Sequence, residues 1–165
     1  MSKLKLNNRR YLGSKAKLIP FIKEIIKNEC GDINSILDLF AGTGIVGWSF
    51  NDGKTSVIVN DMLVSNYLSY IAFFGNQEID EPKILGYIDS YNSANPTGDN
   101  YFSINFSDTF FSKKNCLKIG YIRDNIEDEF KKGKLNDRER AILITSLLFS
   151  MDKIANTVGH YDAFR

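Results

Sequence analysis

Residues 34–47, Asn-Ser-Ile-Leu-Asp-Leu-Phe-Ala-Gly-Thr-Gly-Ile-Val-Gly, constrain the fold more than any other stretch, because a short apolar strand there runs into a glycine-rich turn that opens a helix. Ile36, Leu37 and Leu39 predict a buried parallel strand. Gly42 and Gly44 permit a tight turn and a close backbone approach to a ligand. Gly47, one turn into the helix, leaves room for helix and strand to pack. A second strand over residues 56–60 then ends in Asp61, where the acidic residue of a dinucleotide-type fold accepts bonds from ribose hydroxyls. The order strand, turn, helix, strand predicts an α/β nucleotide-cofactor cradle.

The glycine turn alone is also compatible with a packed corner that binds nothing. Asp38 weighs against that, since a carboxylate in an otherwise apolar strand is costly unless it bonds backbone amides or a cationic ligand. The turn also departs from the Gly-x-Gly-x-x-Gly pyrophosphate fingerprint, with Phe40 in place of the first glycine. That difference favours S-adenosylmethionine, which has no pyrophosphate to cradle.

Upstream lies Arg9-Arg10-Tyr11-Leu12-Gly13-Ser14-Lys15. With this element placed before Asp-Leu-Phe-Ala-Gly-Thr-Gly, the chain resembles the Dam-like DNA adenine-N6 methyltransferases of restriction-modification systems. The similarity extends through Asn-Tyr-Phe-Ser at 100–103 to the final segment, residues 152–165. It implies a Rossmann-like, S-adenosylmethionine-dependent core with a helical segment. By the same resemblance the cofactor would be bound by Tyr11, Gly13, Ser14, Lys15, Asp38, Phe40, Ala41, Gly42, Thr43, Gly44, Asp61 and Met62. Tyr11 would match an aromatic packed near the cofactor, Lys15 a lysine that meets its carboxylate, and Asp61 the ribose ligand. Arg9, Arg10, His160, Tyr161 and Arg165 are the weaker candidates for touching DNA. For His160 the alternative is an exposed histidine at a helix end.

The family's catalytic signature, Asp-Pro-Pro-Tyr or a close variant, is not in this sequence, whose prolines are Pro20, Pro82 and Pro96. No catalytic residue is therefore assigned. The expectation is the N-terminal part of a methyltransferase that does not methylate DNA alone, either truncated or one piece of a split enzyme whose second chain carries the signature. The resemblance also implies that the strand at 36–39 lacks one of its two neighbours, leaving an open edge prone to association.

Composition narrows the class. At 165 residues, with 43% apolar and 25% charged residues, the chain is long enough for a sizeable core. It has no apolar run of membrane-spanning length and no signal-peptide core, which predicts a soluble, cytoplasmic protein. Cys30 and Cys116 have no metal or redox spacing. Net charge is only +1, but residues 1–30 carry eight basic against two acidic residues, and residues 31–100 carry two basic against nine acidic. A basic N-terminal arm suits phosphate contacts, although its lysines are equally compatible with a solvated helix face.

The remaining pattern is a cofactor part over residues 1–91 and a loop with a helical hairpin over residues 92–165. Leu18, Ile22, Ile25 and Ile26 make a helical stripe beginning near Pro20. Helices are expected at 45–51 and 63–74, and a loop at 92–100. Cys116, Ile119, Ile122, Ile126 and Phe130 mark one face of a helix beginning near Ser112. Asn136 and Glu139 make a capping-box start for a helix over 137–155. Thr145, Ser146, Ser150 and Asn156 are read as packing or backbone-bonding groups before base readers. The function that follows is S-adenosylmethionine binding within a site-specific DNA adenine-N6 methyltransferase, with double-stranded DNA as substrate and a restriction endonuclease as functional partner. A ribosomal-RNA methyltransferase and a non-catalytic cofactor- or DNA-binding subunit are the alternatives.

Overall fold

A computed structural model describes residues 15–157. The chain divides into two compact units at the boundary between Tyr70 and Ile71. The first contains a 3-10 turn at Ala16–Leu18, α1 (Ile19–Cys30), β1 (Ser35–Asp38), α2 (Ile45–Phe50), β2 (Ser56–Val59) and the first part of α3 (Val64–Phe74). The second contains the end of α3, then α4 (Glu81–Ser93), α5 (Tyr101–Phe106), α6 (Lys113–Lys131) and α7 (Asp137–Ile154).

In the first unit β1 and β2 pair in parallel, with Ile36 opposite Val57, Leu37 opposite Ile58 and Asp38 opposite Val59. Parallel strands need a crossover connection, and α2 supplies it. Alternation places Ile36, Asp38, Val57 and Val59 on the half-buried side of this two-stranded sheet. Leu37 and Ile58, a register pair on the other side, are 54% and 53% exposed. The expectation that 36–39 is a buried strand is thus corrected: among the described residues one face and one edge of β1 are uncovered, so half its apolar side chains meet solvent. The stripe on α1 is corrected for the same reason. Leu18, Phe21 and Ile25 are exposed, Ile22 and Ile26 only half-buried, and no residue of α1 is buried. Pro20 does sit in its first turn, where a missing N–H costs no helical bond.

Among its described residues the second unit is built on helices. Phe111, Cys116 and Ile119 form a buried cluster to which Phe102, Phe106, Phe110, Leu147 and Met151 add their partly buried faces. Ile126 and Ala141 are completely buried. Helices α6 and α7 pack together, with Arg140 on Glu127 at 2.8 Å and over the Phe130 ring at 4.9 Å. The expected capping box is present: Asn136 accepts from the Glu139 backbone at 2.9 Å, and Glu139 accepts from the Asn136 backbone at 2.9 Å. Helices α4 and α5 were not foreseen. Their start signals are Asp80 before Glu81-Pro82 and the Asn100/Ser103 capping box. Among the described residues no helix is long and apolar enough to cross a membrane.

Candidate cofactor site

The site is the turn that joins β1 to α2. Its backbone has two positive-φ positions, Gly42 at 55° and Gly44 at 76°, a region that side chains with a Cβ rarely enter. Gly44 donates its N–H to the Ala41 carbonyl at 2.8 Å and accepts from Trp48, so it ends the turn and begins α2 together. The start of the turn is fastened to the end of β2. Asn60 N–H donates to the Asp38 carbonyl and Ala41 N–H to the Asn60 carbonyl, both at 2.9 Å, while the Asn60 side chain donates to the Leu39 carbonyl at 3.0 Å.

Asp61 carries this fastening further. One carboxylate oxygen accepts the Gly42 N–H at 2.9 Å, and the other accepts the Leu63 N–H at 2.9 Å. Partial burial pushes the carboxyl's pKa up. The Leu63 amide, the neighbouring Asn66 side chain, the Gly42 amide and the Lys15 charge outweigh it, and the net position is below the ordinary carboxylate value. Asn66 is itself buried, and its amide nitrogen faces the carboxylate without completing a hydrogen bond of ordinary geometry. Each Asp61 oxygen accepts one backbone N–H and retains a second lone-pair direction. Asp61 is therefore ionised, fixed in place, and able to accept further donors.

Asp38 differs. It ends β1 on the half-buried side, and its Oδ2 is buried with no hydrogen-bond partner among the described residues. A buried acceptor left without a donor costs about 1–3 kcal/mol, more if charged. This atom is the best single indication that the site takes a ligand bearing a donor. Phe40, 77% exposed, and Met62, 93% exposed, offer apolar surface beside the turn. Lys15 reaches the Phe40 carbonyl with its ammonium at 3.5 Å, which places its charge at this end of the turn.

Of the residues expected at the cofactor, Lys15, Asp38, Phe40, Ala41, Gly42, Thr43, Gly44, Asp61 and Met62 fall around this one turn. Tyr11, Gly13, Ser14, Arg9, Arg10, His160, Tyr161 and Arg165 lie outside the described residues. Three residues of the site escaped sequence reading: Asn60, Asn66 and Tyr70. The last two are four apart on α3, so they share a face. A polar pair on the packed face of an apolar helix was the available signal.

The second unit offers a groove of about 200 Å³ lined by Ile88, Tyr91, Ile122, Leu143, Leu147 and Met151, among others. Lys118 lies on its wall with its ammonium donated to the Asn92 carbonyl at 2.7 Å, and no carboxylate lines it. Its wall is mainly apolar, and the Tyr91 hydroxyl, the Lys118 ammonium and the Ser150 hydroxyl all donate within the chain, to Asn125, Asn92 and Ser146. Ser150 donates back to the Ser146 carbonyl at 2.9 Å, in keeping with its reading as a backbone-bonding group.

Residues 11–165 match the family described as D12 class N6 adenine-specific DNA methyltransferase. The chain is 34% identical to modification methylase LlaI of Lactococcus lactis subsp. lactis, covering 94% of this chain and 27% of that protein. It is 32% identical to modification methylase StsI of Streptococcus sanguinis, covering 94% and 26%. It is 30% identical to type II methyltransferase M.NlaIII of Neisseria lactamica, covering 93% and 48%. The chain thus spans from about a quarter to about half the length of these relatives. No solved structure matches it significantly.

Proposed function

The chain belongs to the D12 class of N6 adenine-specific DNA methyltransferases, and we propose that it provides the S-adenosylmethionine-binding part of an enzyme that modifies adenine in DNA within a type II restriction-modification system. The observation that carries this reading is the unpartnered, buried Asp38 Oδ2 beside a glycine turn held rigid by Asp61. Bound S-adenosylmethionine would supply a methyl group on a sulfonium centre, together with an ammonium, a carboxylate, a ribose diol and an adenine ring.

The residues present fit those groups. Asp38 is suited to the ammonium, because a cationic donor satisfies its buried oxygen. Asp61, already ionised, keeps acceptor capacity for ribose hydroxyls. Lys15 provides the cation for the carboxylate, while Phe40 and Met62 provide apolar surface for the adenine face. Tyr11, Gly13 and Ser14 are assigned to the same site by the family pattern. Arg9, Arg10, His160, Tyr161 and Arg165 are assigned to DNA. The family match is to DNA-directed enzymes, which favours this reading over a ribosomal-RNA methyltransferase.

Methyl transfer to an adenine amino group needs the flipped base held by a carbonyl and an Asp or Asn side chain. In the family that role belongs to Asp-Pro-Pro-Tyr, which this sequence lacks. The proposed activity accordingly includes a catalytic element from outside these 165 residues, in the same polypeptide or a second one. Calorimetric titration with S-adenosylmethionine tests the cofactor reading: the wild-type chain binds, and Asp38→Asn, which removes the carboxylate charge at constant size, binds about tenfold or more weakly. Equal binding by Asp38→Asn contradicts the role given to that residue, and no binding by folded wild type contradicts the function.

A further inference from the structure

Tyr70 is 5% exposed, and its hydroxyl donates to the Gly42 carbonyl at 2.6 Å. The Gly42 N–H is bound by Asp61 at 2.9 Å. Both backbone polar groups of this glycine are therefore held by side chains that follow β2 in sequence. In a trans peptide the carbonyl and the next N–H point in opposite directions, and the described chain has no cis peptide. Holding the Gly42 carbonyl toward Tyr70 consequently turns the Thr43 N–H away from α3.

That N–H has no hydrogen-bond partner among the described residues, whereas the Gly42 and Gly44 N–H groups on either side are bonded to Asp61 and Ala41. A glycine at φ 55° has several other conformations of similar energy, so the peptide does not keep this direction by itself. We infer that Tyr70 is a positioning residue for the cofactor site, whose hydroxyl fixes the Gly42–Thr43 peptide so that the Thr43 N–H is presented to an acceptor atom of the bound cofactor. The inference rests on the reading of this turn as an S-adenosylmethionine site, and concerns a residue that touches only the protein.

Tyr70→Phe removes the hydroxyl and keeps the ring. Ser69→Ala is the matched control: it deletes a buried hydroxyl from the same helix, one that donates to the Ser65 carbonyl at 3.0 Å and not to the turn. Calorimetric titration with S-adenosylmethionine is expected to show Tyr70→Phe weaker by about fivefold to tenfold, the worth of one buried neutral hydrogen bond, and Ser69→Ala unchanged. In proton–nitrogen NMR spectra of the wild type, the Thr43 amide proton should move downfield on saturation with S-adenosylmethionine. That movement should shrink in Tyr70→Phe and persist in Ser69→Ala. Wild-type affinity in Tyr70→Phe, an equal loss in both variants, or a Thr43 amide that does not respond in saturated wild type each overturns the positioning role. Failure of the folded wild type to bind removes the cofactor reading itself, a separate result visible before any variant is made.

Discussion

The two units of this chain solve opposite problems. In the helical unit α4, α5, α6 and α7 each begin with a side-chain cap, from Asp80, Asn100, Ser112 and Asn136. Two of its buried carboxylates sit in networks. Glu139 binds the Asp80 and Asn136 amides and the Lys83 ammonium, and Glu129 binds Tyr87, Lys132 and Lys134. In the first unit α1 and α2 have no side-chain cap, the sheet has two strands among the described residues, and Leu37, Leu39 and Ile58 are each more than half exposed. Its polar contacts converge instead on one turn. Apolar burial and side-chain caps are thus concentrated in the helical unit, and the proposed ligand chemistry at a turn with a controlled backbone direction beside an unsatisfied carboxylate oxygen.

Core truncation should break that contrast most severely if it is wrong. Ile126, fully buried on α6, should cost about 2–5 kcal/mol when changed to Ala, read from the urea midpoint, because the cavity adds to the lost burial. The exposed Leu37→Ala should cost less than about 1 kcal/mol in the same assay. Comparable losses would mean that the sheet face is covered in solution. Next in size is Asp61→Ala, which deletes an ionised acceptor of two backbone amides; cofactor affinity should fall roughly 10- to 100-fold. Calorimetry on a variant that still melts cooperatively separates this from unfolding.

Two glycines sharpen the comparison within the helical unit. A Cβ on Gly120 would overlap the Asn100 side chain, which caps α5 and donates to the Leu117 carbonyl at 2.9 Å. Gly120→Ala should therefore lower stability by about 1–3 kcal/mol, the steric loss exceeding the gain in helix propensity. Gly86, with nothing within 4 Å of its would-be Cβ in α4, should gain about 0.5–1 kcal/mol as Ala. Thermal melts of both variants check the signs.

The smallest expected effect is a pH dependence. Hydrogen bonds from Lys134, Lys132 and Tyr87, against a raising effect of burial, hold Glu129 at about 2, below its ordinary 4.5. A carboxyl depressed in the folded state adds stability above its unfolded value and loses it as protons return. Its contribution is thus complete above about pH 4.5 and disappears as the pH falls through about 2. Glu129→Gln should flatten part of the acid limb of a melting-temperature profile across that window and leave it unchanged in shape near neutrality.

Much of this organisation was readable from the chain. The β1–turn–α2–β2 order and the Asn136/Glu139 capping box follow from local chemistry, and the observed bounds fall within a residue or two of those expected. Asp38 was legible because a carboxylate in an apolar strand demands an explanation. Asn66 and Tyr70 were not, since their four-residue spacing marks a polar face on α3 but not the turn, far back in sequence, that it meets. Exposure was misread for a related reason. Leu18, Ile25 and Leu37 look like core residues by periodicity, yet burial depends on whether another layer lies over them, and the described residues provide none.

The most direct test is amide hydrogen–deuterium exchange on this chain with and without saturating S-adenosylmethionine. New protection is expected at residues 38–44 and 60–66 and in the segment around Lys15, with α6 and α7 already slow and unchanged. Protection centred on the groove between α4 and α7, or no protection in a folded chain, would contradict the assignment of the glycine turn as the cofactor site.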